Sequence, residues 1–134
     1  MEARKVSAAA LALVGTPFHA QGRLPGVGLD CVGVIVCVAR ACGLPHHDVT
    51  AYPMTPNGTL LQELASQLLR VPGEAQEGDV LAMSFGSEPH HVAILVDGGR
   101  IVHAYSRVHR CVVQSYTEFW HGKVRAVYRF PEVV

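Results

Sequence analysis

In 91-HVAILVDGGRIVHA-104, two apolar runs meet at Asp97-Gly98-Gly99. Aliphatic, β-branched runs with a period of two read as strands, and a glycine turn between them reads as a β-hairpin. The same period continues outward. Val80–Phe85, Cys111–Ser115 and Val124–Phe130 join His91–Val96 and Arg100–Ala104 as predicted strands, about five in an antiparallel meander. With Gly98 at the turn centre, residues pair when their numbers sum to about 196 or 197. His91 then faces residue 105 or 106, and His103 faces 93 or 94. The two histidines lie about one diagonal step apart, within reach across neighbouring strands.

Upstream of Asp79 the period is that of a helix. The run 31-CVGVIVCVARACG-43 is apolar on nearly every face and stops at Gly43 and Pro45, which predicts a buried helix with Asp30 as its N-cap. Residues 15–30, GTPFHAQGRLPGVGLD, are rich in glycine and proline and read as a loop of unusual length, and such loops tend to be functional. Ser7–Val14 predicts a first amphipathic helix ended by Gly15 and Pro17, in preference to a cleaved secretory signal. A second loop spans 45–58, a third amphipathic helix Thr59–Arg70, and a turn-rich connector Val71–Asp79. Helices followed by an antiparallel sheet define an α+β order, with residues 1–134 as one domain.

Composition narrows the function. Hydrophobic residues at 49% and charged residues at 16% exclude disorder. Eleven basic residues balance eleven acidic ones, which argues against a nucleic-acid partner held by a basic field. No apolar run has the length of a membrane span. The four cysteines make no disulfide scaffold and include no CxxC pair of the usual zinc spacing, and because a first helix is preferred to a cleaved signal, the compartment is read as cytoplasmic by default and the thiols as reduced.

Cys31 opens the buried helix behind a glycine-rich approach. A thiol at a helix N-terminus meets the positive end of the dipole and free N–H groups, which favour the thiolate and can hold an oxyanion. Cys37 and Cys42 read as ordinary core cysteines. His91 opens its strand and can serve as the base, with His103 as the group that orients it. Small Ala93 on the His91 face leaves room for the Cys31 helix to approach. A single histidine on a half-buried strand is most often structural; two on adjacent strands with a helix-capping cysteine favour chemistry. A zinc site from His90, His91, His103 and Asp97 is disfavoured, because the spacing fits no established ligand set and adjacent strand residues point apart. Neither a metal nor another cofactor is expected. His19, His46, His47, His109 and His121 show no partner in the sequence.

GTPF, GVGLDCVGV, GDVLAM, HVAILVDGG and IVHA together resemble the signature blocks of the NlpC family of cell-wall cysteine peptidases, over about residues 12–130. The resemblance implies a papain-like core, a nucleophile helix packed on the antiparallel sheet. It implies Cys31 as nucleophile, His91 as base and His103 as third polar residue, with Phe18, Asp30 and Gly33 at the substrate pocket and oxyanion site. It implies hydrolysis of amide bonds in peptidoglycan stem peptides, of the γ-D-glutamyl–diaminopimelate type. Phe18 stands where the family usually carries tyrosine, and Val32 where it carries serine or threonine. GTPFHAQ and DCVGV are most similar to the phage-tail-associated branch, which implies tail proteins as partners and delivery to the wall by a virion or prophage tail. Two other functions fit the same residues: a related amidase or acyltransferase on another substrate, and a tail-assembly protein with a vestigial site.

Overall fold

The structure, a computed structural model, describes residues 2–44, 67–85, 91–131 and 133. The first helix, α1 (Ala3–Leu11), turns Val6 and Ala10 into the core. It begins earlier than its apolar run suggests and ends before Gly15, whose φ of +96° suits glycine. The glycine-rich segment is not featureless. It contains a short hairpin, β1 (Arg23–Leu24) against β2 (Gly28–Leu29), and leads directly into α2 (Cys31–Cys42).

Helix α2 forms as its sequence predicts. The Asp30 side chain accepts from the Gly33 N–H, and Gly43 closes the helix in the left-handed conformation, φ +67°. Every residue from Gly33 to Ala39 is buried. Each valine or isoleucine so buried contributes about 1.5–3 kcal/mol, so packing rather than propensity holds this β-branched helix.

The sheet comprises β3 (Leu69–Val71), β4 (Val80–Met83), β5 (His91–Val96), β6 (Arg100–Tyr105), β7 (Arg110–Ser115) and β8 (Val124–Arg129). Its spatial order is β3-β8-β4-β5-β6-β7, antiparallel throughout. The hairpin register Val96↔Arg100, Leu95↔Ile101 and Ile94↔Val102 has the expected sum of 196.

Two expectations are corrected. Strands β4 to β7 form a meander, but β8 returns beside β4, because the short helix α3 (Glu118–His121) carries the chain across the sheet with Trp120 buried against it. The proposed helix Thr59–Arg70 lies mostly outside the described residues, and Leu69 and Arg70 belong to β3. Leu68, the one member of the predicted apolar stripe among the described residues, is buried in the core, while Leu69 is exposed and β3 is paired along its backbone with β8.

One face of the sheet, with Ala82, Val92, Ile94, Val102 and Ala126, packs against α1 and α2. The other face, with Leu81, Met83, Ala93, Leu95 and Ile101, packs against Trp120. Ala93 therefore faces away from α2, contrary to expectation, and His91, paired with Met83, shares its face; it is Val92 and Ile94 that meet the helix. Asp79, fully buried, receives Arg129 Nε at 2.7 Å and Nη2 at 2.9 Å and ties the start of β4 to the end of β8.

The approach of α2 to the hairpin depends on Gly33, where a Cβ would collide with the Gly22 carbonyl oxygen and crowd Leu29 and Arg23. Alanine in a helix interior is ordinarily worth about 1 kcal/mol over glycine. Gly33→Ala is expected to act the other way, destabilising by about 1–3 kcal/mol through overpacking. Urea unfolding gives the sign; a stabilised variant would show that the hairpin yields freely.

Candidate active site

Cys31 is the first residue of α2 and is half-buried. The backbone N–H groups of Val92, Val32 and Cys31 itself lie toward its sulfur and favour the thiolate. The Val92 contact places the thiol against the first residues of β5, beside His91 in sequence. The helix terminus acts as expected, but it is outweighed. Burial, and then the neighbouring Asp30 carboxylate, push the Cys31 thiol up to about 12. Both causes favour the neutral thiol over the thiolate that its place at the helix terminus suggests.

Asp30 is fully engaged in structure. Its Oδ1 accepts from the Gly33 N–H at 2.8 Å and from Arg23 Nη1 at 3.0 Å, and its Oδ2 accepts from the Gln21 N–H at 2.8 Å. The Gly33 N–H is thus taken by the cap and is not free to bind an oxyanion. Phe18 is half-buried, donates its N–H to the His109 carbonyl at 2.9 Å and bridges to Leu29, two residues before Cys31.

The histidine pair sits where the sheet parts. The β5–β6 ladder runs from Val96↔Arg100 to Ile94↔Val102 and ends there, while β5 continues on β4 and β6 continues on β7. Across the opening, His91 Nε2 and His103 Nδ1 are 2.7 Å apart, with ring planes at 66°. The predicted diagonal step is what the structure shows. His103 is wholly buried, and its Nε2 lies 2.6 Å from Gln114 Oε1 on β7. Burial pulls the His103 ring below the usual imidazole range, partly offset by the Gln114 bond.

Aromatic rings enclose the pair. Tyr105 stacks on His103 with centroids 5.1 Å apart, Trp120 meets His103 edge-on at 5.0 Å, and Phe85 lies 5.7 Å from His91. Such a shell excludes water and strengthens the hydrogen bonds inside it. Among the described residues, no group of three or more His, Cys, Asp or Glu converges as a metal site requires. His90, His46 and His47 lie outside the described residues. His121, read as unpartnered, stacks on Tyr116 at 3.7 Å.

Two residues of the site carry no signal in the linear motif. Arg23 reaches Asp30 only once the hairpin folds. Gln114 could have been found: it is the polar residue in 111-CVVQS-115, and the pairings His103↔Val112 and Ile101↔Gln114 put it diagonally beside His103.

A cysteine at the head of a buried helix, set against a histidine-bearing antiparallel sheet, defines a papain-like α+β domain. Residues 15–129 match the NlpC/P60 family, and the chain belongs to that family. No curated protein sequence matches it. Among solved structures, it is similar to the NlpC/p60 domain of the peptidoglycan hydrolase SagA, at 25% identity and TM-score 0.68, covering 97% of this chain and 100% of that one. It is also similar to NlpC2 from Trichomonas vaginalis, at 13% identity and TM-score 0.76, covering 96% of this chain and 46% of that one. A third is RipD from Mycobacterium tuberculosis, described as a non-catalytic NlpC/p60 domain protein adapted to peptidoglycan binding. That likeness is 18% identity and TM-score 0.62, over 95% of each chain. Among the described residues, no helix is long and apolar enough to cross a membrane.

The raised Cys31 thiol sets a pH dependence. A free thiol titrates near ~8.5, so alkylation of Cys31 by iodoacetamide should still be climbing well above that pH. Asp30→Asn keeps a capping acceptor while removing the charge that holds the thiol protonated. That variant is expected to react several-fold faster at pH ~8. Site-resolved mass spectrometry reads both, and a midpoint near pH ~8.5 in the unaltered protein would show an unperturbed thiol.

Proposed function

We propose that this chain is a cysteine peptidase that hydrolyses amide bonds in peptidoglycan stem peptides, at γ-D-glutamyl–diaminopimelate linkages. The observation that carries the reading is the buried His91–His103 contact of 2.7 Å, at the end of β5 whose Val92 N–H faces the Cys31 sulfur. Cys31 is the nucleophile, His91 the base and His103 its orienting partner. Since Cys31 rests as a thiol, His91 takes its proton as the sulfur attacks the carbonyl carbon. A tetrahedral oxyanion forms, held by the Cys31 backbone N–H and a donor from the glycine-rich loop. Collapse gives a thioester on Cys31 and expels the amine, which leaves with the proton from His91. Water, deprotonated by His91, then attacks the thioester, and the thiol regains its proton. The GTPFHAQ and DCVGV stretches favour action at a phage or prophage tail that opens the wall locally.

A second reading has its own support. The thiol pushed up to about 12, and the absence of a hydroxyl at Phe18 and Val32, fit a domain that binds stem peptides or serves tail assembly without cutting.

Digestion of purified muropeptides followed by mass spectrometry separates the two. The unaltered protein is expected to release fragments cut after the γ-D-glutamyl residue, Cys31→Ala to release none, and His91→Ala to be slower by about 100-fold or more. If the unaltered protein leaves every muropeptide intact while it and Cys31→Ala both sediment with cell-wall sacculi, the binding reading replaces the hydrolytic one.

A further inference from the structure

We propose that Gln114 is a positioning residue: its carbonyl fixes the ring protons of both histidines and leaves Nδ1 of His91 bare. The inference rests on the hydrolytic reading only for its consequence; the proton arrangement stands on geometry. A carboxamide oxygen can only accept a hydrogen bond, so with the Gln114 amide turned to present Oε1 at 2.6 Å, the Nε2 of His103 carries a proton. A neutral imidazole has one N–H. His103 is enclosed by Tyr105 and Trp120, and burial disfavours a second proton on it. Its Nδ1 is therefore an acceptor. The partner at 2.7 Å, His91 Nε2, must then donate. That commits the single proton of a neutral His91 to Nε2 and leaves its Nδ1 unprotonated, the state that the proposed role as base for the Cys31 thiol requires.

The order matters because it can run backwards. If the residue at 114 offered an N–H to His103 Nε2, the His103 proton would move to Nδ1 and be donated to His91. His91 would then carry its proton on Nδ1 and could not act as base. The choice between a competent and an incompetent pair is made on β7, a strand beyond the two that carry the histidines. The register His103↔Val112 and Ile101↔Gln114 keeps Gln114 on the same sheet face as the rings.

The test is long-range proton–nitrogen NMR on protein labelled with ¹⁵N in histidine, which distinguishes protonated from bare ring nitrogens. The unaltered protein is expected to show Nε2–H and bare Nδ1 on both His91 and His103. Gln114→Glu retains an acceptor and should keep that pattern; Gln114→Leu removes it and should split each ring into two tautomers. In stem-peptide hydrolysis, Gln114→Leu should lower kcat by about tenfold or more with KM little changed, and Gln114→Glu should recover most of the loss. A proton on His103 Nδ1 in the unaltered protein, or tautomers unmoved in Gln114→Leu, overturns the inference even if peptide is cleaved. Tautomers that respond as stated in a protein that cleaves nothing uphold it and remove the hydrolytic reading instead.

Discussion

A single buried carboxylate organises the head of α2. Asp30 caps the helix through Gly33, holds the glycine-rich segment through Gln21 and anchors Arg23 of the hairpin. The position of Cys31, the close contact of Gly33 with Gly22, and the reach of the thiol to Val92 all follow from that clamp. The same charge opposes ionisation of the thiol beside it. The group that builds the head of the helix thus also favours the protonated form of the candidate nucleophile.

The second constraint is the parting of β5 and β6. A continuous ladder would occupy the backbone groups where the thiol approaches, and would leave no opening for two rings. Ending the ladder at Ile94↔Val102 frees the Val92 N–H for the sulfur, and the His91–His103 contact bridges the strands in its place. The lost backbone pairing falls at the end of the sheet walled by Phe85, Tyr105 and Trp120, where side-chain hydrogen bonds are strengthened by the lack of water.

Local signals in the sequence fared best. Asp30 as cap, Gly43 as terminator and the Asp97-Gly98-Gly99 turn each depend on a few adjacent residues, and each is where it was expected. From that turn the proximity of His91 and His103 follows by counting. Long-range choices were less legible. That β8 pairs with β4, that Ala93 faces Trp120, and that Leu69 and Arg70 extend a sheet depend on which surfaces meet, and an apolar stripe does not name its partner. The balance of effects at Cys31 is less legible for a similar reason. A helix terminus can be read from sequence, whereas the burial that overrides it cannot.

The segment between α1 and the hairpin has a consequence for solubility. Strand β7 ends the sheet, and an uncovered outer strand is an invitation to another chain. Here Gly15 donates to the Cys111 carbonyl, Cys111 donates to Thr16, Pro17 bridges to Arg110 and Phe18 donates to His109. The approach to the candidate nucleophile therefore doubles as a seal along the first residues of that border. At the opposite border β3 is only three residues long and carries Arg70, which lies over the Tyr128 ring. One border is stitched shut by the protein's own backbone and the other is kept short and charged, so this six-stranded sheet offers little for a second copy to extend.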